Sequence, residues 1–220
     1  YREQRGVIAC AELSPDGTPK ETILALDPGM HCSYPYLFRE NDDLYMIPET
    51  LVSGSVQLYK CIHFPNEWKF EAELFRGNVV DVSALQHNGR WYFFVTFVEP
   101  NAYGIAHYLF SAETIKGEWK YHPANPLSVD VRNARSAGAI QMWNGKLIRP
   151  TQDCSRRYGY AINFAEIVRL DPEVYEERPI STVLPDWSPG LLATHTYNRL
   201  GPFEVTDGLI WRFESKVYAK

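Results

Sequence analysis

The sequence of 220 residues has no apolar run long enough to span a bilayer and no secretory signal pattern. It has no run of Lys or Arg, and its 27 acidic residues outnumber the 22 basic ones. Nucleic acid and anionic membrane surfaces are therefore not expected partners, and no membrane span is expected. The Gly-Asn and Ser-Gly-Ser pieces lack the spacing and the Lys of a phosphate-binding loop. No HExxH, CxxC or GxSxG pattern is present. We expect no cofactor and no metal site. Only four cysteines occur, Cys10, Cys32, Cys61 and Cys154, scattered and outside any ligand pattern. They read as free thiols in a reducing compartment, so a cytoplasmic location is expected. Helical repeats are also excluded, because no convincing stretch carries a 3.6-residue period.

What the chain does have is aromatic residues and turn signals. Six Trp, 14 Tyr and 11 Phe favour β structure. The organising stretch is Ala134 to Gly159. An apolar run leads to Asn144-Gly145, a second run follows, and Gln152-Asp153 closes it. Asn-Gly supplies the φ > 0 positions that a two-residue hairpin turn requires. Both outer ends of such a hairpin lie at one edge, which brings Arg135 close to Gln152 and Asp153. The design recurs: His31 to Glu49 turns at Glu40 to Asp43, and Val79 to Thr96 turns at Asn88-Gly89. A fourth copy is expected to run from Thr194-His195-Thr196 through a turn at Asp207-Gly208 into Leu209 to Phe213. The phrases around Trp68 (NEWKF) and Trp119 (GEWKY) also match. Repeats at intervals of about 50 residues, each built from short strands, are the signature of a propeller blade. The expectation is an all-β protein, one domain over residues 1–220, either whole or a piece of a longer chain. It forms a five-bladed β-propeller of short antiparallel four-stranded blades.

In a propeller the innermost strands line a central pocket, so the starts and returns of the hairpins supply the candidates. These are His31, Ser33, Tyr34 and Glu49 from the first copy, Asp81 from the second, Arg135, Gln152 and Asp153 from the third, and His195 from the fourth. Tyr158 is a candidate pocket wall. Asp81 follows two valines in an apolar strand, where a carboxylate is costly unless paired or used; it is either functional or held by structural hydrogen bonds. Arg135 either pairs with Asp81 or Asp153 or offers its fork of donors to an anionic or hydroxyl-rich ligand. His31 and His195 are each either satisfied structural residues or ligand contacts. Gln152-Asp153 either grips sugar hydroxyls or caps a loop, and Asp207-Gly208 reads as a turn.

The blocks SYPYLF…LYMIPET, VVDVSALQHNGRWYFF, GEWKYHPANP, ARSAGAI…NGKLIRPTQDC…YG and THTYN…DG resemble a known family. It is the family of plant and bacterial domains found at the N-terminus of glucosamine inositolphosphorylceramide transferases and beside formyltransferase-like domains. That family is similar in turn to five-bladed propeller glycoside hydrolases of the arabinanase, xylosidase and levansucrase type. The likeness implies three acidic positions: a base, an orienting Asp and an acid Glu. Only the orienting Asp has a clear match, Asp81 in VVDVSAL. The blade of the acid Glu reads Ala134-Arg135-Ser136-Ala137-Gly138, and Arg cannot be a general acid at neutral pH. Neither Glu12 nor Asp16 lies in a motif matching the first-blade base.

The first functional expectation is an enzyme acting on a glycan, glycoconjugate or nucleotide sugar, with Asp81, Glu49 and Asp153 as catalytic carboxylates. Substrate contacts come from His31, Tyr34, Arg135, Gln152, Tyr158 and His195, and burial beside Pro48 raises the pKa of Glu49. The alternative is a non-catalytic carbohydrate-binding or substrate-presenting domain partnered with a glycosyltransferase or formyltransferase. A protein-binding scaffold ranks third.

Overall fold

A computed structural model describes residues 5–98 and 105–211. Strands β1 (Ile8–Leu13) and β2 (Pro19–Leu26) form a hairpin. The first four-stranded sheet contains β3 (Ser33–Glu40), β4 (Asp43–Glu49), β5 (Ser55–His63) and β6 (Glu67–Arg76). The second contains β7 (Val79–His87), β8 (Arg90–Val98), β9 (Ile105–Ala112) and β10 (Lys120–Tyr121). The third contains β11 (Gln141–Trp143), β12 (Lys146–Asp153), β13 (Ala161–Leu170) and β14 (Tyr175–Val183). Then follow β15 (Leu191–Ala193), β16 (Tyr197–Leu200), β17 (Phe203–Thr206) and β18 (Leu209–Ile210); β15 pairs with β18 and β16 with β17. Within each four-stranded sheet the strands run in chain order and every pair is antiparallel. Among the described residues no helix is long and apolar enough to cross a membrane.

Local chemistry sets these meanders. Asn88 and Gly89 take φ of 50° and 75°, and Asn144 and Gly145 take 49° and 76°, the paired positive values that let a two-residue turn follow strand twist. Trp68 lies in β6, and Trp119 directly precedes β10, so the matching phrases mark the fourth strand of two successive sheets. Trp119 stacks on Phe93 at 3.6 Å between ring centroids.

The second sheet is buried on both faces, and its sequence shows why. Along β8, Trp91, Phe93 and Val95 join Tyr45, Ile47, Val56 and Leu58 of the first sheet in one core. The alternate residues Tyr92 and Phe94 join Ile140, Ile167 and Leu170 in another core, against the third sheet. A strand's side-chain period of two sends successive residues to opposite faces, so an unbroken apolar run is what a doubly covered strand needs. Beyond these, Ile8, Ala25 and Leu26 pack the β1–β2 hairpin on Met46 and Tyr59. Tyr197 of β16 packs against Ile162 and Phe164 of the third sheet. The layers thus succeed one another in chain order.

One expectation is met in part and another changes. Three sheets have four strands, whereas the flanking layers are two-stranded among the described residues. The fourth hairpin turns at Gly201-Pro202, between Leu200 and Phe203, and not at Asp207-Gly208. Gly201 takes the positive φ of 59° that the turn needs. Only Leu209–Ile210 of the expected last strand forms β18, and Arg212 and Phe213 lie outside the described residues.

Gly138 fixes how closely β16 approaches the third sheet. Its φ is 131°, and a Cβ there would lie 2.0 Å from the Tyr197 carbonyl oxygen. Tyr197 N–H donates to the Ala137 carbonyl at 2.7 Å, so neither backbone can retreat without losing that bond. Gly138→Ala is expected to cost at least about 2 kcal/mol in denaturant unfolding. Gly145→Ala, with open space around the added carbon, should cost only about 1–2 kcal/mol of left-handed strain. Equal losses in the two variants would show that the close approach is not fixed by Gly138.

Candidate functional site

Each four-stranded sheet has the same irregularity at the start of its inner strand. In the first, Ser33 pairs with Glu49 but Tyr36 with Ile47; in the second, Val80 pairs with Thr96 but Ser83 with Phe94. In the third, a lone Ser136–Thr151 bridge precedes the regular pairing that starts at Gln141–Ile148. The extra residues are bulges, and they carry positive φ: 43° at Tyr34, 52° at Asp81 and 131° at Gly138. Such values are uncommon for residues other than glycine and cluster where a bulge re-aims a side chain.

These bulges meet. Gly138 N–H donates to the Tyr34 hydroxyl at 2.7 Å, and Ser83 Oγ donates to the Gly138 carbonyl at 2.7 Å. The Tyr34 and Ser83 hydroxyls lie 3.2 Å apart, which closes a ring across three sheets. With the Ser83 proton committed to the carbonyl, Tyr34 is the donor of that contact. Burial holds the Tyr34 phenol well above its usual pKa, so it stays neutral.

Asp81 is 3 % exposed. Arg135 Nε donates to its Oδ2 at 2.6 Å, and Gln152 Nε2 approaches the same oxygen at 3.3 Å while donating to the Ser136 carbonyl at 2.8 Å. Arg135 and Gln152 are neighbours because Gln152 N–H donates to the Arg135 carbonyl at 2.9 Å. The Arg135 guanidinium also lies 4.9 Å from the centre of the Tyr158 ring. Burial pushes the Asp81 carboxyl upward, and the Arg135 charge and hydrogen bond push back. Glu49 sits beside this pair. Its Oε2 accepts the Asp81 backbone N–H at 3.1 Å, and its Oε1 accepts from Ser33 Oγ at 3.3 Å. No cation is bonded to Glu49 among the described residues. Burial, and then the Asp81 charge, raise its carboxyl above the ordinary glutamate value, the direction expected from its sequence setting.

His195 is oriented by Asp207. Its Nδ1 contacts Asp207 Oδ2, while Asp207 Oδ1 accepts the backbone N–H groups of His195 at 2.9 Å and Thr196 at 2.7 Å. Burial opposes the Asp207 charge, but the His195 ring and these N–H groups prevail and bring the carboxyl down to about 2. With Nδ1 engaged, Nε2 is the ring nitrogen left for a ligand. The His195 ring lies 5.4 Å from that of Tyr158, and a Cβ at Gly159 would fall 2.5 Å from His195 Cβ.

Together these residues border a cavity of about 670 Å³. Tyr34, Glu49, Asp81, Tyr158 and His195 line it. Arg135 and Gln152 stand behind Asp81 as its partners. His31 and Asp153 are not brought to it. The His31 Nδ1 accepts the Gly6 N–H at 2.8 Å, tying down the segment before β1. Asp153 Oδ1 accepts the Ser155 N–H at 2.8 Å and borders a separate depression beside Arg132 and Asn163. The reason is strand alternation: Gln152 points at Asp81, so its neighbour points the other way. Sequence reasoning missed Ser83 and Asp207. The Gly201-Pro202 turn was the available signal for the second, because it places Thr196 opposite Asp207. Among the described residues no group of three or more His, Cys, Asp or Glu side chains is arranged to hold a metal.

The site can donate and accept hydrogen bonds around a polyol, cover an apolar sugar face with Tyr158, and hold a proton on Glu49. Its fold is of the propeller glycoside hydrolase kind. A thermostable family-43 glycoside hydrolase matches at a TM-score of 0.52 and 13 % identity, over 74 % of this chain and 57 % of that one. The β-1,2-mannobiose phosphorylase of Listeria innocua matches at 0.57 and 11 %, over 82 % and 55 %. At such identities the likeness speaks for fold alone. The model of the family described as glucosamine inositolphosphorylceramide transferase 1, N-terminal, matches residues 3–196, and the chain belongs to that family. The protein named glucosamine inositolphosphorylceramide transferase 1 from Oryza sativa subsp. indica is 32 % identical over 185 residues, 80 % of this chain and 24 % of its own length. That from Arabidopsis thaliana is 31 % identical over 179 residues, 79 % and 23 %. The chain thus spans about a quarter of the length of these curated relatives.

Two outcomes follow from the electrostatics. Arg135→Gln strands a buried carboxylate and should cost about 3–5 kcal/mol at pH 7, with most of it recovered in the Arg135→Gln/Asp81→Asn pair. A double variant as unstable as the single would dissolve the pairing argument. Asp207 has a depressed folded-state pKa, so its contribution to stability is present above its unfolded value of 3.8 and is lost as pH falls toward about 2. Asp207→Asn should therefore flatten the fall in unfolding free energy across that window; an unchanged slope would count against the His195–Asp207 contact.

Proposed function

We propose that this chain is a carbohydrate-recognition domain. It takes one sugar unit of a glycan or glycoconjugate into the cavity beside Glu49, Asp81, Tyr158 and His195. It holds that unit for a transferase activity carried elsewhere in the same chain or by a partner. The observation that carries the reading is the Asp81–Arg135 pair. Hydrolysis by two carboxyl groups needs both free to act on the glycosidic bond or on water; of the three candidate carboxylates, Asp81 is engaged by a guanidinium at 2.6 Å and Asp153 lies outside the cavity, so Glu49 stands there alone. On sequence alone an enzyme ranks narrowly first; the occupied carboxylate reverses that order. The family model is an N-terminal one and this chain matches 24 % of the length of a relative named as a transferase, which supports a partnered role. Closure into five blades, with β1–β2 and the C-terminal strands as parts of two further blades, belongs to the same proposal.

A second reading is favoured by one feature, the raised carboxyl of Glu49 facing the cavity that His195 also lines. This is the placement of a proton donor and an Asp-oriented base.

Glycan-array binding followed by calorimetry, with product release followed by mass spectrometry, separates the two. We expect saturable binding to a restricted set of sugars with no turnover. Tyr158→Ala should weaken binding at least about tenfold, the loss expected of a stacking aromatic. Release of product that disappears in Glu49→Gln would replace recognition by catalysis. No binding and no release across oligosaccharides, polysaccharides and nucleotide sugars would refute the carbohydrate assignment.

A further inference from the structure

The turn end of the third sheet, opposite the cavity floor, carries a second hollow. Strand β12 runs from Lys146, beside the Asn144-Gly145 turn, to Gln152 at the Asp81 carboxylate and on to Asp153. From Lys146 to Gln152 is about 20 Å at the rise of an extended strand, so one sugar ring cannot reach both ends. The hollow has a volume of about 450 Å³ and lies between this turn and the Gly201 turn of the β16–β17 hairpin. Gln141, Met142, Trp143, Asn144, Arg199 and Gly201 line it. Trp143 is 39 % exposed and Met142 64 %. Neither joins any of the four buried clusters among the described residues, whereas Trp68, Trp91 and Trp119 all do. An indole that packs on no core is not there to fill one. The Arg199 guanidinium stands 6.0 Å from its ring centre, at the outer limit of a cation–π contact, which steadies the ring and leaves it exposed. Gln141 Nε2 is buried with no hydrogen-bond partner among the described residues, and a donor in that state calls for an acceptor.

We propose that this hollow is a second carbohydrate-binding site, which stacks a sugar ring of a glycan chain on Trp143 and takes its hydroxyls on Gln141, Asn144 and Arg199. A pyranose has an apolar C–H face and a rim of hydroxyls that both donate and accept. The indole covers the first, and two side-chain amides and a guanidinium answer the second. An apolar peptide side chain would use the indole but leave the amides unanswered. The site stands at the other end of the sheet from the Glu49 floor and does not depend on what that floor binds.

The test titrates the isotope-labelled full chain with xylo-, cello-, manno- and galacto-tetraoses, read by NMR on the tryptophan indole N–H signals. The Trp143 signal is the one missing from Trp143→Phe. It should shift saturably with at least one of these sugars. Gln141→Leu, which keeps the bulk of the side chain and removes its donor, should weaken that binding about threefold to tenfold. Trp143→Ala should weaken it at least about tenfold by calorimetry, with partial recovery in Trp143→Phe. Tyr158→Ala should leave the Trp143 titration unchanged, because Tyr158 lines the cavity. Arg199 borders the cavity as well and is left in place. Binding that vanishes in Tyr158→Ala and never moves the Trp143 signal would overturn the second site and leave the cavity reading standing. Binding that survives Tyr158→Ala in full and is lost in Trp143→Ala would uphold the second site and count against the cavity. A Trp143 signal that no tetraose moves would overturn the proposal.

Discussion

A carboxylate on an inner strand is the constraint around which the rest of this molecule is arranged. Asp81 interrupts a run in which every residue from Val79 to Ala84 is buried. A charge at that depth is tolerated only with a partner, and the partner cannot come from its own sheet. It comes from the stretch before β11, where Arg135 reaches back to Oδ2 and Gln152 supports the same oxygen. To deliver Arg135, that stretch leaves regular pairing after the Ser136–Thr151 bridge and passes through Gly138. The same departure lets β16 close on the third sheet. Compensation of one charge thus sets the path of a whole segment.

The repeated bulge explains how an ordinary meander acquires a pocket. Regular strands would alternate between the packed cores and leave nothing aimed at the cavity. One extra residue in each of the first two sheets, and two in the third, break that alternation. Tyr34, Asp81 and Gly138 then supply a hydroxyl, a carboxylate and a backbone amide with no side chain in the way. Positive φ at Tyr34 and Asp81 costs about 1–2 kcal/mol each, a cost offset by the hydrogen-bonded ring with Ser83 and by the Arg135 pair. Strain that persists in two sheets at equivalent positions is the mark of a site.

Much of this was legible in the sequence, for identifiable reasons. The polar turn at Glu40 to Asp43, the two Asn-Gly turns and the apolar runs give the three four-stranded sheets directly, because turn chemistry and side-chain period are local. Hairpin geometry also places Arg135 near Gln152, and a buried Asp beside valines announces that it needs company. What was not legible depends on register. Asp153 looks as eligible as Gln152 in a list, and only the phase of the strand decides which side chain turns inward; His31 and His195 lie just outside strands, where the sequence carries no phase to read. Asp207 followed by glycine has the composition of a turn, yet the chain has already turned at Gly201-Pro202. With the bend placed there, Asp207 falls opposite Thr196 and becomes an acceptor for two N–H groups and the His195 ring.

Burial raises both carboxyl groups at the cavity floor, but their partners differ. Asp81 has the cation, and the donors bonded to Glu49 among the described residues are neutral, the Asp81 N–H and the Ser33 hydroxyl. The Asp81 charge itself makes a second charge on Glu49 less favourable. One group is therefore committed to the framework, and the other remains responsive to whatever enters. A ligand hydroxyl that meets Glu49 in its protonated form finds a donor, and one that meets the carboxylate finds an acceptor. A framework carboxylate that disfavours charge on its neighbour leaves Glu49 responsive without asking Asp81 to leave Arg135, and the stability of the fold and the chemistry of the floor then rest on the same pair.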